Sequence, residues 1–132
     1  MKFHHIGLFV ENLEKGIEEM SNTINIDCIS DRIEDPLIDV SIMFLTDSSG
    51  ITYELVAPLS NNSPVNGVLK RGSGFLNHLA YTTDQFDYEV SRLRQNKNVP
   101  LGPAKIAKAF NGRRVIFFLT KLNYIIEIIE EA

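Results

Sequence analysis

Apolar and polar residues follow the same order twice along this chain. Short apolar runs bounded by turn-forming residues predict strands, and apolar residues spaced three or four apart predict helices. The first half is predicted to form a strand, a helix capped by Asn12 and three strands, at residues 3–10, 13–20, 26–33, 40–46 and 51–57. The second half repeats this order at residues 76–83, 84–98, 105–109, 114–120 and 124–129. A short helix that begins at Pro64 and is ended by Gly72 joins the halves.

Histidines and glutamates, whose side chains can bind metals or transfer protons, recur at one spacing. His5 and His78 are 73 residues apart, and so are Glu54 and Glu127. Because the chain has only three histidines, this match indicates an internal repeat. We therefore predict an α+β fold in a single domain, with two tandem βαβββ modules at residues 1–58 and 76–132 and a linker at 59–75. Strand alternation then predicts a cup-shaped, barrel-like mixed sheet with the helices outside.

Composition narrows the classes of function. The 132 residues are enough for one domain with one core, and the net charge of −4 disfavours nucleic acid as a partner. No run approaches the roughly 20 apolar residues that a membrane span needs, and the first residues leave no room for a signal peptide, so we expect a cytoplasmic protein. Cys28 is the only cysteine, which excludes an internal disulfide and a thiolate zinc site within one chain. Any metal site must use nitrogen and oxygen ligands.

Each half contributes one histidine from its first strand and one glutamate from its last. Taken alone, a histidine in an apolar strand is typical of a structural role, as we expect for His4, and a strand glutamate is typical of a solvent-facing edge. Two buried carboxylates, however, are costly without a compensating cation. Because the residues share one offset, we favour a site for one divalent metal ion (Co, Zn, Ni, Mn or Fe) bound by His5, Glu54, His78 and Glu127.

Three stretches of the chain resemble a known superfamily. They are residues 5–13, a central segment made of 53–59, 63–64, 69–74 and 77–80, and a final segment made of 112–117 and 125–127. They are similar to the vicinal oxygen chelate superfamily, which includes glyoxalase I, methylmalonyl-CoA epimerases, extradiol dioxygenases and the fosfomycin- and bleomycin-resistance proteins. The best local fit is to the epimerases. The resemblance covers nearly the whole chain and implies that the same two histidines and two glutamates bind the metal.

One departure from the epimerase pattern concerns the catalytic base. Epimerases carry a Pro-Glu-His turn before the third strand, whose glutamate is thought to remove the substrate α-proton. Here Pro36-Leu37-Ile38 lies at that turn, and a leucine cannot act as a base. The resemblance to glyoxalase I implies instead that Glu54 or Glu127 accepts the proton. Three acidic residues near the turn are further candidates: Glu34, Asp35 and Asp39.

The function implied by the resemblance is a divalent-metal-dependent isomerase or epimerase. It would abstract a proton α to a carbonyl, in an acyl-CoA or a similar thioester. Basic residues that could then meet the phosphates are Lys70, Arg71, Lys105, Lys108, Arg113 and Arg114. The open alternatives are a glyoxalase I-like lyase, a metal-dependent oxygenase, an enzyme that adds thiol or water to an epoxide, and a non-catalytic small-molecule-binding protein. We expect a homodimer with a small-molecule substrate, and neither nucleic acid nor a membrane as partner.

Overall fold

The computed structural model describes residues 1–70 and 76–132, which contain ten strands and three α-helices. The first elements are β1 (Lys2–Phe9), α1 (Leu13–Ser21), β2 (Ile26–Ile29), β3 (Ile33–Asp35), β4 (Val40–Asp47), β5 (Thr52–Pro58) and α2 (Pro64–Lys70). The later elements are β6 (Leu76–Thr83), α3 (Phe86–Gln95), β7 (Val99–Pro100), β8 (Lys105–Ala107), β9 (Arg113–Leu119) and β10 (Ile125–Glu130). The predicted helix end at Gly72 lies outside the described residues, as does Arg71.

Internal contacts divide the chain into two units. The first unit comprises His5–Asn77, and the second comprises His78–Ala132 together with Met1–His4. Each unit contains a mixed sheet. In the first, β1 runs parallel to β5, β4 runs antiparallel to β5, and β2 and β3 both pair with β4. In the second, β6 runs parallel to β10, β9 runs antiparallel to β10, and β7 and β8 both pair with β9.

The predicted strand at 26–33 is wrong in one respect, because it is interrupted. At the break, Ser30 forms a side-chain hydrogen bond in place of one of the regular backbone hydrogen bonds of the ladder. Its backbone N–H donates to the carbonyl of Phe44, and its Oγ accepts from the N–H of Phe44 at 2.9 Å. A side-chain oxygen thus takes the place of a strand carbonyl, and the chain leaves the ladder until Ile33. The physical cause is the ability of serine to compete with the backbone for hydrogen bonds.

The second half also differs from its predicted elements at one edge. The stretch 99–103, which none of the predicted elements covers, contains the two-residue strand β7. The strand predicted at 105–109 ends at Ala107 and continues as a 3-10 turn over Lys108–Phe110. That turn ends at Asn111, which has a φ of 57°. Asparagine tolerates this left-handed conformation better than most residues, so the chain can reverse there into β9.

One face of each sheet is covered by a helix. In the first unit, Leu13 of α1 packs with Leu45 and Leu55 of the sheet. In the second unit, Phe86 of α3 packs with Phe118. The spacing of apolar residues that predicted both helices is therefore the spacing of their core contacts. The opposite face of each sheet carries the candidate functional residues.

The internal repeat extends to the pairing of the strands. Gly7 of β1 lies opposite Glu54 of β5, and Ala80 of β6 lies opposite Glu127 of β10. The two registers are identical at the offset of 73 residues. A shift of one residue would turn the glutamates to the helix-covered face, so the register is a strong constraint. The predicted α+β fold with two tandem βαβββ modules is confirmed.

Candidate functional site

The first unit brings His5 and Glu54 together. Neighbouring residues paired in a parallel ladder face the same side, so Glu54 points to the side of Gly7, and alternation places His5 on that side too. The Nε2 atom of His5 lies 3.4 Å from Oε1 of Glu54. The two residues are only 0% and 4% exposed. The pair is therefore a buried imidazole beside a buried carboxylate.

The second unit brings His78 and Glu127 together in the same way. Glu127 lies opposite Ala80 in the β6–β10 ladder, and His78 is two residues before Ala80. Nε2 of His78 lies 3.3 Å from Oε1 of Glu127, and the residues are 2% and 3% exposed. The solvent-facing position that is typical of a lone strand glutamate is thus excluded for both glutamates.

An aromatic ring lies against each histidine. The ring of Phe44 meets that of His5 edge to face, with centroids 5.8 Å apart and an interplanar angle of 76°. The ring of Phe117 meets that of His78 at 5.3 Å and 82°. The sequence reasoning did not single out Phe44 and Phe117 as neighbours of the candidate site, although their alignment at the offset of 73 was a visible signal.

The donor atoms of each pair fit a divalent cation. An imidazole nitrogen and a carboxylate oxygen are ligands that Zn, Co, Ni, Mn and Fe accept. A carboxylate removed from water is unfavourable unless a cation or several hydrogen bonds compensate for it. Glu54 and Glu127 are buried beside imidazoles, which in their neutral form can also bind a metal ion. This arrangement is consistent with cation binding. His4, in contrast, is exposed, and its ring meets that of Phe110 edge to face at 5.6 Å.

Comparison with known proteins identifies the family. Residues 4–117 match the sequence model of the Glyoxalase/Bleomycin resistance protein/Dioxygenase superfamily. The chain belongs to this superfamily. A curated relative in it is the mitochondrial methylmalonyl-CoA epimerase of Bos taurus, with 27% identity over 118 residues. That match covers 88% of this chain and 65% of the bovine protein, so the chain spans just under two thirds of the relative's length.

Several solved structures share the fold along nearly the whole chain. A hypothetical protein from Bacillus halodurans C-125 matches with a TM-score of 0.84 and 19% identity, over 99% of this chain and 94% of that one. A methylmalonyl-CoA epimerase from Mycobacterium tuberculosis matches with a TM-score of 0.80 and 21% identity, over 99% and 88% of the chains. The Streptomyces coelicolor epimerase in complex with 2-nitronate-propionyl-CoA matches with a TM-score of 0.80 and 19% identity, over 100% and 98%.

The turn at residues 36–38, which the resemblance to epimerases implies as the base position, includes an exposed leucine. Leu37 is 83% exposed in the turn between β3 and β4. Of the acidic residues nearby, Glu34 is exposed, and its Oε1 lies 3.6 Å from Nε of Arg32. Asp39 accepts a 2.6 Å hydrogen bond from the hydroxyl of Ser60. Glu34 lies opposite Ser41 in the β3–β4 ladder, which puts its side chain on the sheet face away from Glu54.

Asp35 differs from these two acidic residues. It is buried, and it lies opposite Val40 in the β3–β4 ladder, which puts it on the same sheet face as Glu54. One of its oxygens accepts from the backbone N–H of Leu37 at 3.2 Å. Val40 is four residues from the position opposite Glu54, or about 13 Å along the strand at about 3.3 Å per residue. Asp35 therefore lies too far from Glu54 to share the same reacting atom.

The basic residues predicted as phosphate contacts are not equivalent. Arg114 donates to both carboxylate oxygens of Asp87 and to both of Glu130, with a shortest contact of 2.7 Å. Its guanidinium also lies 4.5 Å from the centroid of the Phe86 ring. These contacts join the start of α3 to β9 and β10. Arg114 therefore stabilises the second unit rather than contacting a ligand. Lys70, Lys105 and Lys108 are exposed.

The described helices also bear on membrane association. Among residues 1–70 and 76–132, no helix has the length and apolar character that a membrane span requires.

Proposed function

We propose that the chain is a divalent-metal-dependent isomerase that removes the proton α to the carbonyl of an acyl thioester. The observation that supports this most is the duplicated His–Glu pair, buried in both units at equivalent positions. Buried groups of this kind mark functional sites more often than structural ones when they offer a coherent set of ligands. The curated relative named as a methylmalonyl-CoA epimerase favours the epimerase reaction within this class.

The proposed metal ligands are the four residues that the internal repeat singles out, His5, Glu54, His78 and Glu127. Two imidazoles and two carboxylates suit one Co, Zn, Ni, Mn or Fe ion and leave positions open for a substrate oxygen in a six-coordinate arrangement. A divalent ion bound there would act as a Lewis acid for the negative charge that develops on the carbonyl oxygen. The identity of the metal is a matter for measurement.

The proton itself needs a base among the side chains of this protein. Leu37 has no titratable group, and Asp35 is displaced from Glu54 along the strand. We therefore assign the base role to Glu127 or Glu54, whose carboxylate oxygens can accept a proton within the buried site. Inversion of the α-carbon then needs a proton donor on the opposite face of the enolate, a role open to the other of the two glutamates.

The proposed substrate is a CoA or other pantetheine thioester, and the proposed assembly is a homodimer. The support for CoA comes from relatives, one of which is solved with an acyl-CoA analogue and another with methylmalonyl-CoA. In this chain, exposed lysines such as Lys70 and Lys105 are candidates for the phosphates, since Arg114 is engaged by carboxylates.

The test is exchange of the α-proton for deuterium. Co(II)-loaded protein is incubated with methylmalonyl-CoA in D2O, and incorporation is followed by mass spectrometry. Controls are metal-stripped protein, His78→Ala as the ligand variant, and Phe118→Leu as a buried variant on the helix-covered face. Exchange that needs metal and His78 but not Phe118 supports enolate chemistry.

Absence of exchange with stoichiometric Co(II) bound rejects the epimerase reaction. The hemithioacetal of methylglyoxal and glutathione is then the next substrate, because a glyoxalase-type lyase uses the same proton abstraction. Failure with both substrates favours a binding protein of the same fold.

A further inference from the structure

We infer that Phe44 and Phe117 are positioning residues for the metal ligands, and that each holds one histidine ring in the orientation that metal binding needs. This inference rests on the metal site proposed above. The inference adds one phenylalanine to the histidine and glutamate of each half. Each half then contains a triad of histidine, glutamate and phenylalanine.

The internal repeat itself singles out these phenylalanines. Along β4, residues 40–47 align with residues 113–120 at the offset of 73, and Phe44 with Phe117 is the only identical pair. In residues 52–58 of β5 the only identical pair is Glu54 with Glu127. In residues 2–9 of β1 the only identical pair is His5 with His78. Three strands thus retain one residue each, and two of these three are the proposed ligands.

The third retained residue is a neighbour of the other two. Phe44 lies directly opposite Glu54 in the β4–β5 ladder, and Phe117 lies directly opposite Glu127 in the β9–β10 ladder. Side chains that are opposite each other in an antiparallel pair are neighbours on one face. Both phenylalanine rings then meet the histidine ring edge to face, at nearly equal distances and angles. The same three-residue geometry is therefore formed twice by independent parts of the chain.

Packing alone does not explain why these positions stay aromatic, although Phe117 also packs against a buried cluster that includes Ala80 and Val115. Phe44 and Phe117 are half-buried, whereas the next residues, Leu45 and Phe118, are fully buried on the helix-covered face. There the repeat accepts leucine in one half and phenylalanine in the other. An edge-to-face contact, in contrast, needs a ring, because a ring edge and a ring face attract each other electrostatically.

Orientation matters for a histidine ligand because its terminal torsion is broad. Rotation about the bond from Cβ to the ring turns Nε2 away from a metal at little cost unless the surroundings restrict it. Residues that orient a metal-binding imidazole typically change metal affinity by about 10- to 100-fold when they are replaced. Phe44 and Phe117 are placed to impose such a restriction.

The experiment measures Co(II) affinity by calorimetry and the ligand-field absorption of the bound Co(II). Phe117→Leu removes the ring and keeps an apolar side chain, and Phe44→Leu makes the same change in the other unit. We expect each to weaken Co(II) binding by about tenfold or more and to alter the visible spectrum. Phe117→Tyr retains the ring and is expected to restore affinity and spectrum. Phe118→Leu, on the same strand but the other face, is expected to lower the thermal midpoint and leave Co(II) binding unchanged.

Each outcome separates this inference from the proposed function. Wild-type affinity and spectrum in both leucine variants would overturn the positioning role and leave the metal site intact. An equal loss in Phe118→Leu would also overturn it, since the effect would then be general loosening of the unit. Wild-type protein that binds no Co(II) would reject the metal site and the inference with it. Circular dichroism identifies a variant that fails to fold, in which case the variant in the other unit provides the test.

Discussion

The imidazole of His78 and the carboxylate of Glu127 lie 3.3 Å apart on neighbouring parallel strands, with both residues almost completely buried. The proposed metal would be stabilised by this pair and would in turn stabilise the folded chain, because a ligand that binds only the native state raises its stability. At a free concentration of 100 times the Kd, the gain is about 2.7 kcal/mol.

We therefore expect Co(II) to raise the thermal midpoint of the wild-type protein but not that of Glu127→Gln, which keeps the shape and removes the charge. Differential scanning calorimetry with and without Co(II) measures the shift. Glu131→Gln is the control, since Glu131 accepts from the hydroxyl of Thr82 rather than lying beside a histidine. A full shift in Glu127→Gln would argue against Glu127 as a ligand.

Asn12 is predicted to stabilise α1 through its cap. Its Oδ1 accepts a 2.9 Å hydrogen bond from the backbone N–H of Lys15, which has no partner within the helix at that position. We expect Asn12→Ala to lower the free energy of unfolding by about 1 kcal/mol. Gln85 precedes α3 at the equivalent position, and its side chain makes no capping hydrogen bond there. Gln85→Ala should accordingly change stability far less, and urea unfolding of both variants tests the difference.

Two helical glycines are predicted to respond oppositely to substitution by alanine. A Cβ on Gly16 would lie 3.1 Å from Cγ1 of Val10 and 3.2 Å from Cδ1 of Leu55, in a packed interior. The gain of about 1 kcal/mol in helix propensity then competes with an overpacking cost of about 1–3 kcal/mol, so we expect a net loss of stability.

Gly67 is the matched control for Gly16. A Cβ there would meet no described atom outside its own helix within 4 Å, so Gly67→Ala should stabilise the protein by up to about 1 kcal/mol. Midpoints of urea unfolding distinguish the two. Stabilisation by Gly16→Ala would mean that Val10 and Leu55 can move aside.

The contacts of Arg114 predict a pH dependence of stability. Hydrogen bonds from its guanidinium hold the pKa of the Glu130 carboxyl below its usual value of 4.5. A carboxyl with a lower pKa in the folded state contributes stability that is present above its usual pKa and is lost as the pH falls through the folded value. Glu130→Gln should therefore be destabilising near pH 7, with a deficit that shrinks as the pH falls below 4.5.

Unfolding by urea across this pH range measures the effect. Arg114→Met should reproduce it, because it removes the partner that lowers the pKa of Glu130. Glu131→Gln serves as the control, because it changes the adjacent carboxylate, which accepts a hydrogen bond from the hydroxyl of Thr82. A deficit that stays constant as the pH falls from 7 to well below 4.5 would contradict the assignment of Arg114 as the cause.

The amino-acid sequence predicted most of the elements because their signals are local. The helix at residues 13–20 is predicted by the spacing of its apolar residues and by the cap at Asn12, and the strands on either side are predicted by their apolar runs. All of these signals lie within or next to the element that they predict. The repeat of two histidines and two glutamates was visible because it needs only a fixed offset and no knowledge of contacts. The resemblance to epimerases implied that Leu37 lies at the base position, and its residue type alone shows that it cannot act as a base.

The sequence by itself determined the order of elements, the duplication and the choice of candidate ligands. Only the tertiary structure decided that Glu54 and Glu127 are buried beside their histidines, because a glutamate in a strand looks the same whether its face is covered or solvated. It also decided that Ser30 interrupts a strand, that Asp35 shares the face of Glu54 and that Arg114 is engaged by two carboxylates. Each of these depends on which distant residue lies across a ladder, and register is set by packing over the whole sheet rather than by any local pattern.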